Sequence, residues 1–323
     1  MLAYSGIYKF WRMFQLSIRP TSVSTFGIQR KIVSNMTTEG WRSIPHCSYV
    51  YEPDLTQFIE KYKAFDAELQ KEGKHVTLNT VIVKAICEAL KSAPQMNAHC
   101  EFDRHLVRGT VTTYDQIDIS MPWILPGDQM MTITMKDMGN RTLGDMTEYT
   151  AEMAKKIEKT NFDEAMYGVS INDTIEKLKK GDIVKVVRRL YGSFASKKHR
   201  IKLLTGEAKK AYKAIPDSEK ITPADLKQGT ITISNIGSIS RGHTGNVDML
   251  IVIPPQVCAI CINAMQKKPF VVTNAEGKDE ISIKTTIPLT ICFDHRVLDF
   301  GEVKPFLDAM QRIIDNPECI FKY

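Results

Sequence analysis

The sequence predicts an α/β protein with helices laid against a sheet, on three observations. Amphipathic helical repeats occur near both ends, alternating strand-like runs follow the first of them, and the chain reads mostly as β after residue 220. The 323 residues, 43% hydrophobic and 25% charged, can build a sizeable core as one large domain or two small ones. No apolar run approaches the roughly 18 residues of a membrane-crossing helix.

The elements follow from periodicity. In "DLTQFIEKYKAFDAEL", Leu55, Phe58, Ile59, Tyr62, Phe65 and Leu69 fall on one helical face. A second helix follows in "TLNTVIVKAICEALKS", with Leu78, Val81, Ile82, Ala85 and Ala89 on its stripe. "YDQIDISMPWIL" and "MMTITMKD" alternate about a "PGD" turn, as two strands do. "DMTEYTAEMAKKIEKT" returns to helix. Further on, "GTITISNIG" alternates cleanly, and "DMLIVIPPQVCAICINAM" is an apolar run interrupted by Pro254 and Pro255. Two more strands are expected about a turn at Gly277. The last helix carries Val303, Phe306, Leu307, Met310, Ile313 and Ile314 on one stripe.

Seven cysteines, most of them within apolar runs, suit buried free thiols and a reducing compartment. "CAIC" at 258–261 has the spacing of a metal or redox motif but lies in a strand-like run. Residues three apart on a strand face opposite sides, so no metal is expected there. Residues 1–38 hold Lys9, Arg12, Arg19, Arg30 and Lys31 and no acid. That composition suits a mitochondrial transit peptide or an N-terminal arm docking on a neighbouring subunit. The arm, residues 1–27, is the expectation, with a cytoplasmic location; the mitochondrial matrix is the alternative.

Charge is concentrated in one segment. Between 175 and 204 there are ten Lys and Arg against Glu176 and Asp182, a net +8, whereas the whole chain is +6. At about 100° per residue, Ile183, Val187, Leu190 and Phe194 group opposite Lys185, Arg188 and Arg189. Such a helix is either a solvated surface element or a landing face for an anionic membrane or an acidic carrier. Nucleic acid is not expected, because no aromatic-interleaved or zinc-type module accompanies the charge.

The candidate chemistry lies in "ICFDHRVLDF", where an apolar strand stops on Asp294, His295 and Arg296, with Asp299 close behind. A histidine between a strand and a helix can be held in one tautomer, and its neutral ring can take a proton from a thiol or hydroxyl. Acyl transfer also needs a donor to the developing oxyanion. Ser234, at the end of "TITIS", is a candidate, although strand-end serines are commonly turn formers.

"GTITISNIGS", "IPPQVCAICINAMQKKP" and "FDHRVLDFGEVKPFLDAMQRIIDNPE" closely resemble the catalytic domain of the dihydrolipoyl acyltransferases of 2-oxoacid dehydrogenase complexes. "RSIPHCSYVYEPDLTQF" and "VIVKAICEALKSAPQMNA" resemble that family's opening strand and helix. The resemblance covers about residues 28–160 and 220–323. It implies a chloramphenicol acetyltransferase-like fold, an α+β two-layer sandwich whose mixed sheet carries packed helices. It further implies a catalytic domain over 28–323, with the basic segment inside an insert at about 163–216. His295 then matches the general base, Ser234 the oxyanion donor, and Asp299 an aspartate that fixes the histidine loop through a basic partner. Coenzyme A is the implied acyl carrier. A homotrimer is implied too, with the catalytic parts meeting across its subunit interface.

Three departures from the family pattern stand out. Phe300 replaces the glycine after Asp299, which would disturb the loop if that position needed φ > 0. Ser34 and Asn35 stand where a basic pair precedes Met36, leaving Arg30 or Arg42 to serve Asp299. The stretch before residue 28 is too short for a lipoyl domain, so no lipoyl group is expected on this chain. A separate lipoylated or acyl carrier protein would then act in trans. The expected function is acyl transfer between coenzyme A and a thiol, hydroxyl or amine acceptor. A catalytically silent trimeric scaffold or regulator is the alternative.

Overall fold

The computed structural model describes residues 21–323 except 23, 126–128, 180, 182, 185, 188–190, 192–202 and 240–241. Its helices and strands, in chain order, are α1 (Ile28–Ser43), β1 (His46–Tyr51), α2 (Thr56–Lys71), α3 (Leu78–Leu90), β2 (Ala98–Asp103) and β3 (Arg108–Thr113). Next come β4 (Ile119–Leu125), β5 (Gln129–Met135), α4 (Leu143–Glu158), α5 (Phe162–Lys179), α6 (Gly206–Ala214) and β6 (Ile231–Asn235). The chain finishes with β7 (Cys258–Ile262), β8 (Gln266–Thr273), β9 (Asp279–Thr286), β10 (Leu289–Asp294) and α7 (Phe300–Asp315).

Six strands form a mixed sheet in the order β1-β10-β7-β6-β4-β5. β6 runs parallel to both β4 and β7, and the other pairs are antiparallel. β2–β3 and β8–β9 are separate two-stranded hairpins. The central strands β7 and β10 are buried on both faces along their whole length, which is why they read as unbroken apolar runs rather than alternating ones. One face carries Cys258, Ile260, Ile291 and Phe293 into a core shared with Phe58, Ile86 and Phe306 of the helices. Full burial of such a side chain contributes about 1.5–3 kcal/mol. The other face presents Ala259 and Cys292 to Ile44 and Val252. Cys258 and Cys261 therefore occupy opposite faces of β7, as strand periodicity requires.

The predicted helices at 55–69, 78–89 and 303–314 appear as α2, α3 and α7. The strand pair about "PGD" appears as β4 and β5, with β4 starting at Ile119. The run from 279 to 293 divides at Ile287 and Pro288 into β9 and β10, so it belongs to two different sheets. Gly277 turns the β8–β9 hairpin with φ +77°, a conformation that favours glycine. The hydrophobic run before Pro254 forms no strand; residues 248–253 lie beside β10 instead, where Leu250 N–H reaches Cys292 Sγ at 3.0 Å.

The expected arm falls mainly outside the described residues, and α1 begins where it was expected to end. Of the basic helix, Ile183, Val184, Val187 and Tyr191 are helical and exposed and Val186 is buried. Lys185, Arg188, Arg189, Leu190 and Phe194 lie outside the described residues. Among the described residues no helix is long and apolar enough to cross a membrane.

Candidate active site

His295 follows β10 directly and opens the turn into α7. Its backbone N–H donates to Pro45 O at 3.0 Å, which ties the turn to the residue ahead of β1. Its ring Nδ1 lies 3.1 Å from Leu298 O and 3.1 Å from Asp299 Oδ1. Both neighbours are acceptors, so Nδ1 carries a hydrogen, and in the neutral ring the lone pair is on Nε2. The side chain is 53% exposed in the single chain, which leaves Nε2 accessible to a reactant.

Asp299 is the N-cap of α7, and its own N–H donates to Glu302 Oε2 at 2.8 Å. Within one chain its side-chain partner is His295 itself, not an arginine. Arg30, Asn35 and Arg42 lie exposed on α1 and Ser34 half-buried, and neither arginine pairs with Asp299. Phe300 takes the first position of α7 and has no positive φ; Val107 and Asp137 are the described non-glycine residues that do. Glycine is therefore not required there. The Phe300 ring instead meets Tyr49 edge-on at 5.1 Å.

A pair that the sequence reading left unassigned flanks the histidine. Asp294 is wholly buried, and its carboxylate accepts from Arg296 Nε at 2.9 Å and Nη2 at 2.6 Å. Hydrogen bonding to that carboxylate raises the Arg296 pKa above its ordinary value. The guanidinium carbon also lies 5.4 Å from the Phe102 ring centroid, linking the turn to β2. β10 ends at Asp294 and Arg296 lies in the turn that follows, so it is the turn, not strand periodicity, that brings the two side chains together.

Ser234 lies near the end of β6, buried, and its hydroxyl has no partner among the described residues. The next residue, Asn235, donates through its side chain to Asn79 on α3 and accepts the Ser238 N–H at 3.0 Å. Gly237 then passes so close to the following β-segment that a Cβ would stand 2.8 Å from Asn263 O. These contacts fix the backbone on which Ser234 sits.

One chain does not bring Ser234 and His295 together. Asp294 N–H bonds to Val257 O, ahead of β7, whereas Ser234 pairs with Cys261 toward the other end of the same strand. About four residues of strand rise and two interstrand spacings place His295 and Ser234 roughly 15–20 Å apart. Among the described residues no three His, Cys, Asp or Glu side chains are grouped to hold a metal ion.

This fold recurs in known proteins. A family described as 2-oxoacid dehydrogenases acyltransferase (catalytic domain) matches residues 19–171 and 195–322, and the chain belongs to that family. The interruption, 172–194, falls inside the insert expected at about 163–216 and overlaps the basic segment. The chain is 21% identical over 288 residues to the dihydrolipoyllysine-residue acetyltransferase component of a pyruvate dehydrogenase complex from Mycobacterium bovis, covering 89% of this chain and 40% of that protein. It is 25% identical over 291 residues to the lipoamide acyltransferase component of a branched-chain alpha-keto acid dehydrogenase complex from Bacillus subtilis, covering 90% and 51%. The chain thus spans about half the length of the curated relatives it matches.

Two solved structures share the fold. A probable dihydrolipoamide acetyltransferase from Listeria monocytogenes superposes with TM-score 0.60 at 20% identity, over 92% of this chain and 94% of that one. The cubic core of a pyruvate dehydrogenase multienzyme complex gives TM-score 0.62 at 16% identity, over 95% and 96%.

Proposed function

We propose that this chain transfers an acyl group between coenzyme A and a thiol, hydroxyl or amine acceptor, with a dihydrolipoyl thiol the foremost acceptor. His295 Nε2 takes the proton from the acceptor as it attacks the thioester carbonyl. The Ser234 hydroxyl donates to the oxyanion of the tetrahedral intermediate. Collapse of that intermediate expels the coenzyme A thiolate, which recovers the proton from His295, so the base is restored.

The observation that carries this function is His295 Nδ1 facing two acceptors, which leaves Nε2 as a neutral ring's basic nitrogen. The unpartnered Ser234 hydroxyl supports it as a donor in waiting. Because the two residues sit beside opposite ends of β7, on β6 and after β10, the proposed site is assembled from two copies, and a homotrimer is the proposed unit. A lipoylated or acyl carrier protein is the proposed partner, acting through its prosthetic group. The exposed Ile175, Leu178 and Lys179 of α5 begin the basic segment. A second proposed contact is between residues 175–204 and an anionic membrane surface.

The silent-scaffold alternative loses one of its supports, since Phe300 occupies an ordinary helical position. The deciding experiment offers short-chain and branched acyl-coenzyme A species to the protein, with dihydrolipoamide or small amines as acceptors. Release of free coenzyme A thiol, followed together with acyl product, is expected with at least one pair. No turnover with any pair at any protein concentration would leave the scaffold.

A further inference from the structure

We propose that Asp294 and Arg296 form a positioning pair that sets the orientation of the His295 imidazole, an inference that rests on the acyl-transfer function above. Asp294 is the hub of the turn. Its carboxylate accepts from three N–H groups of Arg296: the backbone N–H at 3.0 Å, Nε at 2.9 Å and Nη2 at 2.6 Å. Its carbonyl accepts from Val297 and Leu298, each at 3.0 Å, and its own N–H donates to Val257 O at 2.9 Å. Acid and arginine stand two residues apart, so the ring they close bridges over the residue between them. That residue is His295.

The same hub locates the acceptor. Leu298, whose carbonyl receives the His295 Nδ1 hydrogen, is held by its own N–H on the Asp294 carbonyl. Asp294 thereby fixes both ends of the imidazole-to-carbonyl distance. Arg296 completes the arrangement by compensating a carboxylate that has no solvent exposure, and its planar fork engages both carboxylate oxygens. Lysine offers a point charge without that fork. The pair touches neither reactant in this scheme; it acts through His295.

The test compares wild-type protein with R296K, using acyl-transfer kinetics, thermal unfolding and ¹⁵N NMR of the His295 ring. R296K is expected to fold and to lower kcat by about 10- to 100-fold through misplacement of the base, with the KM for acyl-coenzyme A changed less than about twofold. The ring nitrogens should shift from a single Nδ1–H tautomer toward a mixture. Should R296K fail to fold, the double variant D294N/R296Q, which leaves no uncompensated buried charge, replaces it with the same expectations. A folded variant with wild-type kcat and an unchanged tautomer would make the pair merely structural and overturn the proposal. If wild-type protein transfers no acyl group, the function fails separately. The NMR comparison still decides the pair, an unchanged tautomer overturning it.

Discussion

Leu298 O and His295 Nδ1 stand 3.1 Å apart, three residues along one turn, and Asp299 Oδ1 reaches the same nitrogen at 3.1 Å. The imidazole thus has a backbone acceptor that does not depend on the Asp299 side chain, beside a carboxylate that is 79% exposed. This redundancy separates the expected effects of changing each residue.

Replacing His295 by Ala should lower turnover by about 10²–10⁴-fold, the usual scale for loss of a general base, with the folded state retained. Replacing Asp299 by Ala should cost less than about 10-fold, because Leu298 O still holds the tautomer and exposed carboxylates are screened by solvent. Steady-state kinetics on both variants checks this. Equal losses would make Asp299 an essential partner of the base.

Ser234→Ala should reduce kcat by about 10²-fold, with a smaller effect on coenzyme A affinity. The separation of Ser234 from His295 adds a sharper expectation. Neither H295A nor S234A homotrimers should work, yet co-expression of the two chains should restore about a quarter of wild-type activity, the fraction of interfaces pairing an intact histidine with an intact serine. Absence of any rescue in purified mixed trimers would put both residues of each site in one chain, against the geometry.

Away from the site, Asp66 accepts the Val76 N–H at 3.0 Å and side-chain hydrogen bonds from Gln70 and His75. Burial alone would raise its pKa, but those bonds, the Val76 amide first, together hold it below the ordinary carboxylate value. A depressed folded-state pKa means that its stabilisation is present above the unfolded value of about 4 and is lost as pH falls through the folded one. Asp66→Asn should therefore destabilise the protein near neutrality by about 1–2 kcal/mol and flatten the acid limb of the stability curve. Denaturant unfolding between pH 7 and 3 measures both.

If residues 175–204 meet an anionic membrane, each exposed Lys or Arg should add about 1 kcal/mol near the charged surface, weakened by salt. Co-sedimentation with vesicles should rise with anionic lipid and fall with ionic strength. Changing Lys185, Arg188 and Arg189 to Gln should remove most of it without altering transfer to small acceptors. Binding that ignores lipid charge would exclude this contact.

The helices α2 and α7 and the strand β6 were legible because each buries mainly one face, and a single-faced element writes its period into the sequence. α1 was not, because it buries only Ile28 and Gly40 and its apolar positions make no continuous stripe. The β2–β3 hairpin escaped notice for a related reason: every residue of β3 is exposed, so nothing selects an alternating pattern. At the site, His295 and Ser234 were reached through motif resemblance, whereas their separation along β7 depends on strand register, which is a tertiary fact. Asp299 was expected to brace the loop through a basic side chain; within one chain its carboxylate reaches the histidine. Asp294 and Arg296 stood in view as an acid and a base around a histidine, and only the burial of Asp294 shows how much of the turn is built on it.

The placement of Ser234 and His295 beside opposite ends of β7 also ties the proposed site's output to abundance. For the two-copy site proposed here, a chain diluted below the point of assembly would be idle. Turnover per chain would then climb steeply, not proportionally, as more protein is made. A chain with one damaged residue would disable the one site to which it lends that residue while its intact residue still serves a neighbour, so loss in a mixed population would match the share of defective copies.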